Sequence, residues 1–221
     1  MFDHRLSKEG NALVLGTASR RPFYGVGKRL IDIVLVLLGT PIVLPIILVL
    51  AVAVRLDGGP AFYLQPRVGK KGRIFKLWKF RSMVPDAEKA LETYLASDPA
   101  ARAEWDANQK LRHDPRLTPI GAFIRRYSLD ELPQLWNVLL GDMSLVGPRP
   151  MLPSQRSLYP GTAYYDLRPG ITGLWQISER NSCTFAERAT YDNRYAQSVS
   201  ALTDLVILIR TVSVVFRGTG C

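Results

Sequence analysis

The chain has 221 residues, is 47% hydrophobic and carries a formal charge of +10, from 29 Lys and Arg against 19 Asp and Glu. That length holds one compact domain plus a membrane element rather than two independent enzymes. The charge suits polyanionic partners such as nucleotides, lipid phosphates or an anionic membrane surface. Nucleic acid is disfavoured, because no zinc-finger spacing, RNA-binding aromatic signature or long basic tail is present. Cys183 and Cys221 form no C-x-x-C, and the two histidines, His4 and His113, are too few for a typical catalytic zinc site. Metal chemistry would therefore fall to carboxylates and Mg2+.

Leu30 to Val54 is almost uniformly apolar, interrupted by Asp32 and by Gly39, Thr40, Pro41 and Pro45. It is long enough to span a bilayer and too long, and too far from the start, for a cleaved signal peptide. Arg20, Arg21, Lys28 and Arg29 precede it; Arg55, Arg67, Lys70, Lys71 and Arg73 follow it. Cations at both ends place both ends in the cytoplasm, which a helix broken at its middle satisfies and a straight one does not. Pro41 and Pro45 supply the break by removing backbone N–H groups, with the Thr40 hydroxyl offered to a freed backbone group. A kinked, fully spanning helix remains the alternative. Lys28 and Asp32, four apart, are expected to pair.

Beyond it, Ala61 to Gln65 and Arg73 to Phe80 read as two strands joined by a turn containing Gly69 and Gly72. Helical patterns follow at 86 to 97, 99 to 111 and 119 to 126, the last with Thr118 as cap and Pro119 at the first position. Ser128-Leu129-Asp130-Glu131 matches a capping box, which accounts for Ser128 and Glu131 but not for Asp130, set at a helix start where an ionised carboxylate can act as a nucleophile. Pro133 conflicts with that helix unless it starts later. Arg125, Arg126 and Arg149 bracket the acids, as phosphoryl transfer requires and as a solvated charged face also would. The remainder reads as helices separated by ordered loops. Gly147-Pro148-Arg149-Pro150 and the run from Arg168 to Gly173 are either rigid mounts for an arginine or ordinary connections. Thr184 and Glu187 form a second capping box, ahead of a helix with Arg188, Asp192 and Tyr195 on one face; Asp192 organises a site or simply pairs with Arg188. Near the end, Leu205, Ile209, Val212 and Phe216 make an apolar stripe opposite Thr203, Arg210 and Arg217, suited to a membrane interface or to packing on the core. No P-loop, G-x-G-x-x-G or G-x-S-x-G occurs.

Ser128-Leu129-Asp130-Glu131-Leu132-Pro133-Gln134, Gly141-Asp142-Met143-Ser144 and Val146-Gly147-Pro148-Arg149-Pro150 together resemble the bacterial sugar transferases, monotopic phosphoglycosyl transferases that act on polyprenyl phosphate. The resemblance also takes in Lys28-Arg29, Asp32, Gln65, Arg67, Gly69, Lys79-Phe80-Arg81, Arg116 to Gly121, Pro169 to Gly173, Asp192 and Tyr195, nearly the whole chain beyond residue 23. It implies a re-entrant helix broken at Thr40-Pro41, Mg2+ held at Asp130 and Glu131, and attack by Asp130 on the sugar-proximal phosphorus of a UDP-sugar. UMP leaves, and polyprenyl phosphate takes the phosphosugar from the aspartate. Arg125, Arg149 and Arg168 would hold phosphates, with Lys79, Arg81, Thr172, Gly173 and Asp192 also assigned to substrate binding.

The fold class expected is mainly α with a small β-hairpin (α+β), with interfacial amphipathic helices. It divides into a flexible segment 1–23, a re-entrant helix 24–55 and a cytoplasmic catalytic domain 56–221 ending in an interfacial helix. The implied setting is the cytoplasmic face of the bacterial inner membrane, with its lipids, UDP-galactose or UDP-glucose and undecaprenyl phosphate as partners; a homodimer is left open. A membrane-docked scaffold and a UDP-sugar hydrolase are the rival readings. Two departures from the family pattern are Glu179 before Arg180-Asn181, where relatives usually have Gly, and Val199, where a Trp commonly precedes Ser.

Overall fold

The computed structural model describes residues 22–108, 111, 113–178 and 184–216. The 1–23 segment almost entirely, and Glu179 to Asn181, Cys183, Arg217 and Cys221 among the residues singled out above, lie outside the described residues. The described chain is mostly helical, with a two-stranded sheet of β1 (Phe62–Val68) and β2 (Ile74–Phe80) and another of β3 (Ser144–Val146) and β4 (Gly170–Thr172). Its contacts divide it into two units. One comprises the described residues of Met1–Leu35, Pro66–Phe75 and Val138–Val212; the other those of Val36–Gln65, Lys76–Asn137 and Ser213–Cys221.

Helix α1 runs from Pro22 to Leu56 with Pro41 and Pro45 inside it and is long and apolar enough to cross a membrane. Its middle is exposed, Leu38 and Ile42 each at 71%, which in water would be costly and in lipid is not. The Thr40 hydroxyl donates to the Val36 carbonyl at 2.8 Å rather than to the Leu37 carbonyl, to which Pro41 offers no N–H. Near the start of α1 the charges of Lys28 and Asp32 attract as expected, and each residue also has tertiary partners. Lys28 pairs with Asp204 at 2.6 Å, while Asp32 accepts from the Ser144 hydroxyl (2.7 Å) and the Leu145 N–H (3.2 Å). Asp32 is buried, and a buried carboxylate gains more from two fixed donors than from a flexible i,i+4 neighbour.

The β1–β2 hairpin forms where expected, with Lys71 (φ 57°) and Gly72 (φ 75°) turning the chain. β1 continues through Pro66 to Val68, which a two-stranded sheet permits because the missing N–H falls on an edge strand. Helices α2 (Ala87–Ser97), α3 (Pro99–Asn108) and α4 (Pro119–Arg126) match the helical patterns, and Thr118 caps α4 by accepting from the Gly121 N–H at 3.0 Å. In this unit Leu50 and Val54 of α1 pack with Phe80 and Ile124.

The strands β3 and β4 are a difference from the sequence reading, which placed Arg168 to Gly173 in a loop and gave no strand at Ser144 to Val146. They pair in parallel, Ser144 with Gly170 and Val146 with Thr172. Three residues are too few for period-2 alternation to show, and the glycines mark close backbone approach rather than turns. A Cβ on Gly147 would lie 2.3 Å from the Arg168 carbonyl oxygen, and one on Gly173 would lie 2.2 Å from the Gly147 carbonyl oxygen. Helix α5 (Gln134–Leu140) leads into β3; α6 (Ala163–Asp166) and α7 (Leu174–Ile177) are short, and α8 (Arg188–Ser198) and α9 (Ala201–Phe216) complete the described chain. The Thr184–Glu187 box forms, with the Thr184 N–H donating to Glu187 Oε2 at 2.6 Å and the Glu187 N–H returning to Thr184 Oγ1 at 3.4 Å. Val199 packs beside Val146, Tyr195 and Ile207 in this unit's core. The stripe of Leu205, Ile209, Val212 and Phe216 is 54–81% exposed, so it does not pack on the core; Asp204 and Ile207 make the buried face of α9.

Candidate active site

The acid pair lies in the unit containing α4 and residues 76–80 of β2. The capping box expected at Ser128 is absent: Ser128 has a left-handed backbone (φ 56°) with no side-chain cap bond, and Leu129–Glu131 form a single 3-10 turn. Pro133 is the cause. With no N–H to offer the Leu129 carbonyl, it prevents an α-helix from starting here; the Leu132 N–H takes that carbonyl at 3.1 Å, and α5 begins at Gln134. Asp130 therefore sits in a tight turn rather than at the head of a helix.

Asp130 and Glu131 are only 8% and 9% exposed. Lys79, projecting from β2, places its Nζ 3.3 Å from both Asp130 Oδ2 and Glu131 Oε1 and so bridges the pair. Burial pushes the Asp130 carboxyl above the usual carboxylate range; the Lys79 charge opposes this, the Glu131 charge adds to it, and Arg125 opposes it. Arg125 is oriented through its Nε, which donates to the Ser82 hydroxyl at 2.8 Å. Ser82 is in turn pressed against Gly121, where a Cβ would meet the Ser82 carbonyl oxygen at 2.0 Å. Arg81 is engaged otherwise, donating to the carbonyls of Val54, Pro60 and Met83 at 2.7, 2.8 and 3.2 Å and thereby fastening the last turn of α1. A buried, partly desolvated carboxylate held beside two cations is equipped to attack phosphorus in an anionic substrate.

The remaining candidates belong to the other unit. Arg149 and Asp192 line one small cavity of about 10 Å³, enough for one water, together with Tyr159, Trp175 and Arg188. The guanidinium of Arg188 stacks on Trp175 at 4.1 Å, with that of Arg149 5.8 Å from the same ring. Asp192 accepts from the Tyr159 hydroxyl at 2.7 Å, and burial pushes its carboxyl up to about 6 against the opposing pull of that bond and of Arg188. Arg168 donates from Nε to the Gly141 carbonyl at 3.0 Å, just beyond α5, where Arg29 also caps the Val138 and Leu139 carbonyls. Thr172 is buried with its hydroxyl 2.7 Å from that of Thr211, and Gly173 is packed on Gly147. The structure thus gathers Lys79, Arg125, Asp130 and Glu131 in one unit, and Arg149 with Asp192 in the other. Trp175, Tyr159 and Ser82 were not singled out from the sequence. Nor was Asn137, although a lone amide in the apolar run of α5 is a signal of a buried polar task.

Among the described residues no group of three or more metal-binding side chains occurs. Asp130 and Glu131 alone suit a Mg2+ ion, which takes one or two protein carboxylates and completes its shell with water and substrate phosphate oxygens.

The chain is similar to known proteins over most of its length. A family model described as bacterial sugar transferase matches residues 23–218. A UDP-galactose-lipid carrier transferase of Erwinia amylovora and an undecaprenyl-phosphate galactose phosphotransferase of Salmonella typhimurium are each 47% identical over 195 residues, covering 87% of this chain. The chain spans only 41% of the length of those two relatives. The exopolysaccharide production protein ExoY of Sinorhizobium fredii is 42% identical over 207 residues, 92% of both chains. With the family model's match running through both units, the chain belongs to the bacterial sugar transferase family.

Proposed function

We propose that this protein is a phosphoglycosyl transferase that moves a sugar 1-phosphate, galactose 1-phosphate first among candidates, from a UDP-sugar to polyprenyl phosphate at the inner membrane, initiating exopolysaccharide or other glycoconjugate assembly. The observation that carries it is the buried Asp130–Glu131 pair bridged by Lys79 with Arg125 alongside; the names of the relatives supply the donor and acceptor classes. In the first step an Asp130 carboxylate oxygen bonds to the sugar-proximal phosphorus as the bond to the bridging oxygen breaks and UMP leaves with that electron pair. In the second, an oxygen of polyprenyl phosphate bonds to the same phosphorus, the aspartyl bond breaks, and the carboxylate is restored. Lys79 and Arg125 offset the negative charge brought by the donor's diphosphate. Mg2+ held by Asp130 and Glu131 supplies further neutralisation when bound.

Product analysis tests this. UMP release from UDP-galactose that requires undecaprenyl phosphate is the expected result; release without acceptor makes the protein a hydrolase, and no release from any UDP-sugar makes it a scaffold.

For α1 the reading is a re-entrant helix, both ends on the cytoplasmic face and the exposed α9 stripe lying in the same interface. In its support, both ends of α1 carry cations, Lys28, Arg29 and Asp32 near its start are bound to polar groups, and the Val54 carbonyl near its end takes the Arg81 guanidinium. Single cysteines at Val26 and Asp57, in a chain with Cys183 and Cys221 replaced, are expected to react with an impermeant thiol reagent from the cytoplasmic side only. Reaction from opposite sides would restore a spanning helix.

A further inference from the structure

Among the described residues β2 belongs to a sheet of two strands, so one of its edges has no strand neighbour there, and an open edge leaves backbone N–H and C=O groups to be satisfied some other way. On that edge the Asn137 carboxamide takes the part of a strand. Its Oδ1 accepts from the Trp78 N–H at 3.0 Å and its Nδ2 donates to the Lys76 carbonyl at 2.8 Å. Residues 76 and 78 point their backbone groups to the same side of a strand, and one carboxamide presents an acceptor and a donor side by side, so it completes one rung of a ladder. Asn137 is 0% exposed. The residue that follows this rung is Lys79, whose Nζ bridges Asp130 and Glu131, and Asn137 itself lies on α5, which begins three residues after Glu131. The amide therefore ties the strand that carries the cation to the helix that follows the acids.

We propose that Asn137 is a positioning residue for the acid pair: by completing the open edge of β2 it fixes the distance from Lys79 to Asp130 and Glu131. This rests on the transferase reading for its catalytic consequence, but not for its geometry. The bonds from Asn137 to Lys76 and Trp78 are to backbone groups of β2, and its influence passes through Lys79. Loss of the rung frees β2 to shift against α5, and displacements of about 1 Å in such a support cost up to about 100-fold in rate.

The test is a double-mutant cycle with a separate chemical readout. Asn137→Ser is expected to lower kcat for UMP release by roughly 10- to 100-fold with KM within about threefold. In a Lys79→Met background, the same substitution is expected to change kcat by less than about threefold, because the interaction it supports is already gone. In parallel, acetic anhydride labelling of Lys79, normalised to the exposed Lys89, is expected to rise at least about threefold in Asn137→Ser as the Lys79 side chain, 18% exposed where it bridges the acids, becomes more accessible. Equal losses of kcat with and without Lys79, or unchanged Lys79 labelling, would overturn the proposal. If Asn137→Ser loses its cooperative melt, Asn137→Asp, which keeps the Trp78 rung and loses the Lys76 one, is read the same way; collapse of both variants also overturns it, assigning Asn137 to folding alone. A wild type that releases no UMP refutes the transferase reading, while the labelling arm still decides whether Asn137 sets Lys79.

Discussion

Asp130→Asn is expected to lower acceptor-dependent UMP release by at least about 10⁴-fold while the protein remains folded and membrane-bound. A carboxamide is nearly the same size and shape as a carboxylate but is a far poorer nucleophile toward phosphorus, so the substitution removes the bond-forming group and little else. The fold has reason to tolerate it. Burial disfavours the ionised form of Asp130, and a neutral amide at the same place avoids that desolvation, offsetting the weakened contact with Lys79. Melting is therefore expected to hold within a few degrees of the wild type, and Glu131 keeps its own contact with Lys79 at 3.3 Å. Single-turnover release of UMP, measured with and without undecaprenyl phosphate, checks the prediction. Turnover within tenfold of wild type would remove Asp130 from the nucleophile's role and leave the pair as a charge cluster.

Much of this was legible from local chemistry. The hairpin, α2, α3 and α4 follow from period, turn glycines and the Thr118–Pro119 start, where neighbours in sequence are neighbours in space. What was misread depends on groups distant in sequence. Ser128 has the residue pattern of a capping box, yet Pro133, five residues on, denies it a helix to cap. Lys28 and Asp32 attract as their spacing predicts, but their hydrogen-bonding partners include Asp204 and Ser144, over a hundred residues away, which the spacing does not show. The α9 stripe fitted two environments by periodicity, and only the exposure of the stripe, with Asp204 and Ile207 buried on the other face, showed that it does not pack on the core. Arg81, chosen with Lys79 from one motif, has its guanidinium on backbone carbonyls, whereas Lys79 bridges the acids; alternation along an extended strand sends residues two apart to the same face, and what each meets there is tertiary.

Gly147→Ala is expected to destabilise the protein by about 3 kcal/mol or more, roughly 6–12 °C in Tm for a chain of this size. The reason is steric rather than conformational. Its Cβ would stand 2.3 Å from the Arg168 carbonyl oxygen and 2.9 Å from the Gly170 N, both backbone atoms that cannot rotate aside as a side chain would. Nor can Gly170 give way, since its own Cβ direction is filled by the Gly147 N at 2.1 Å, and the Gly147 N–H is committed to the Thr172 carbonyl at 2.8 Å. Gly27→Ala is the control: that position lies within α1 with no atom within 4 Å of a new Cβ, so alanine there is expected to be neutral or to stabilise by up to about 1 kcal/mol. A Gly147→Ala protein melting within 2 °C of wild type would mean that β3 and β4 do not approach as closely as described. Activity adds a second discrimination, because Arg149 follows Gly147 by two residues and shares its strand-to-loop backbone. If kcat falls further than the folded fraction at the assay temperature accounts for, the parallel strand pair also holds the position of Arg149. If the two fall together, it holds only the fold.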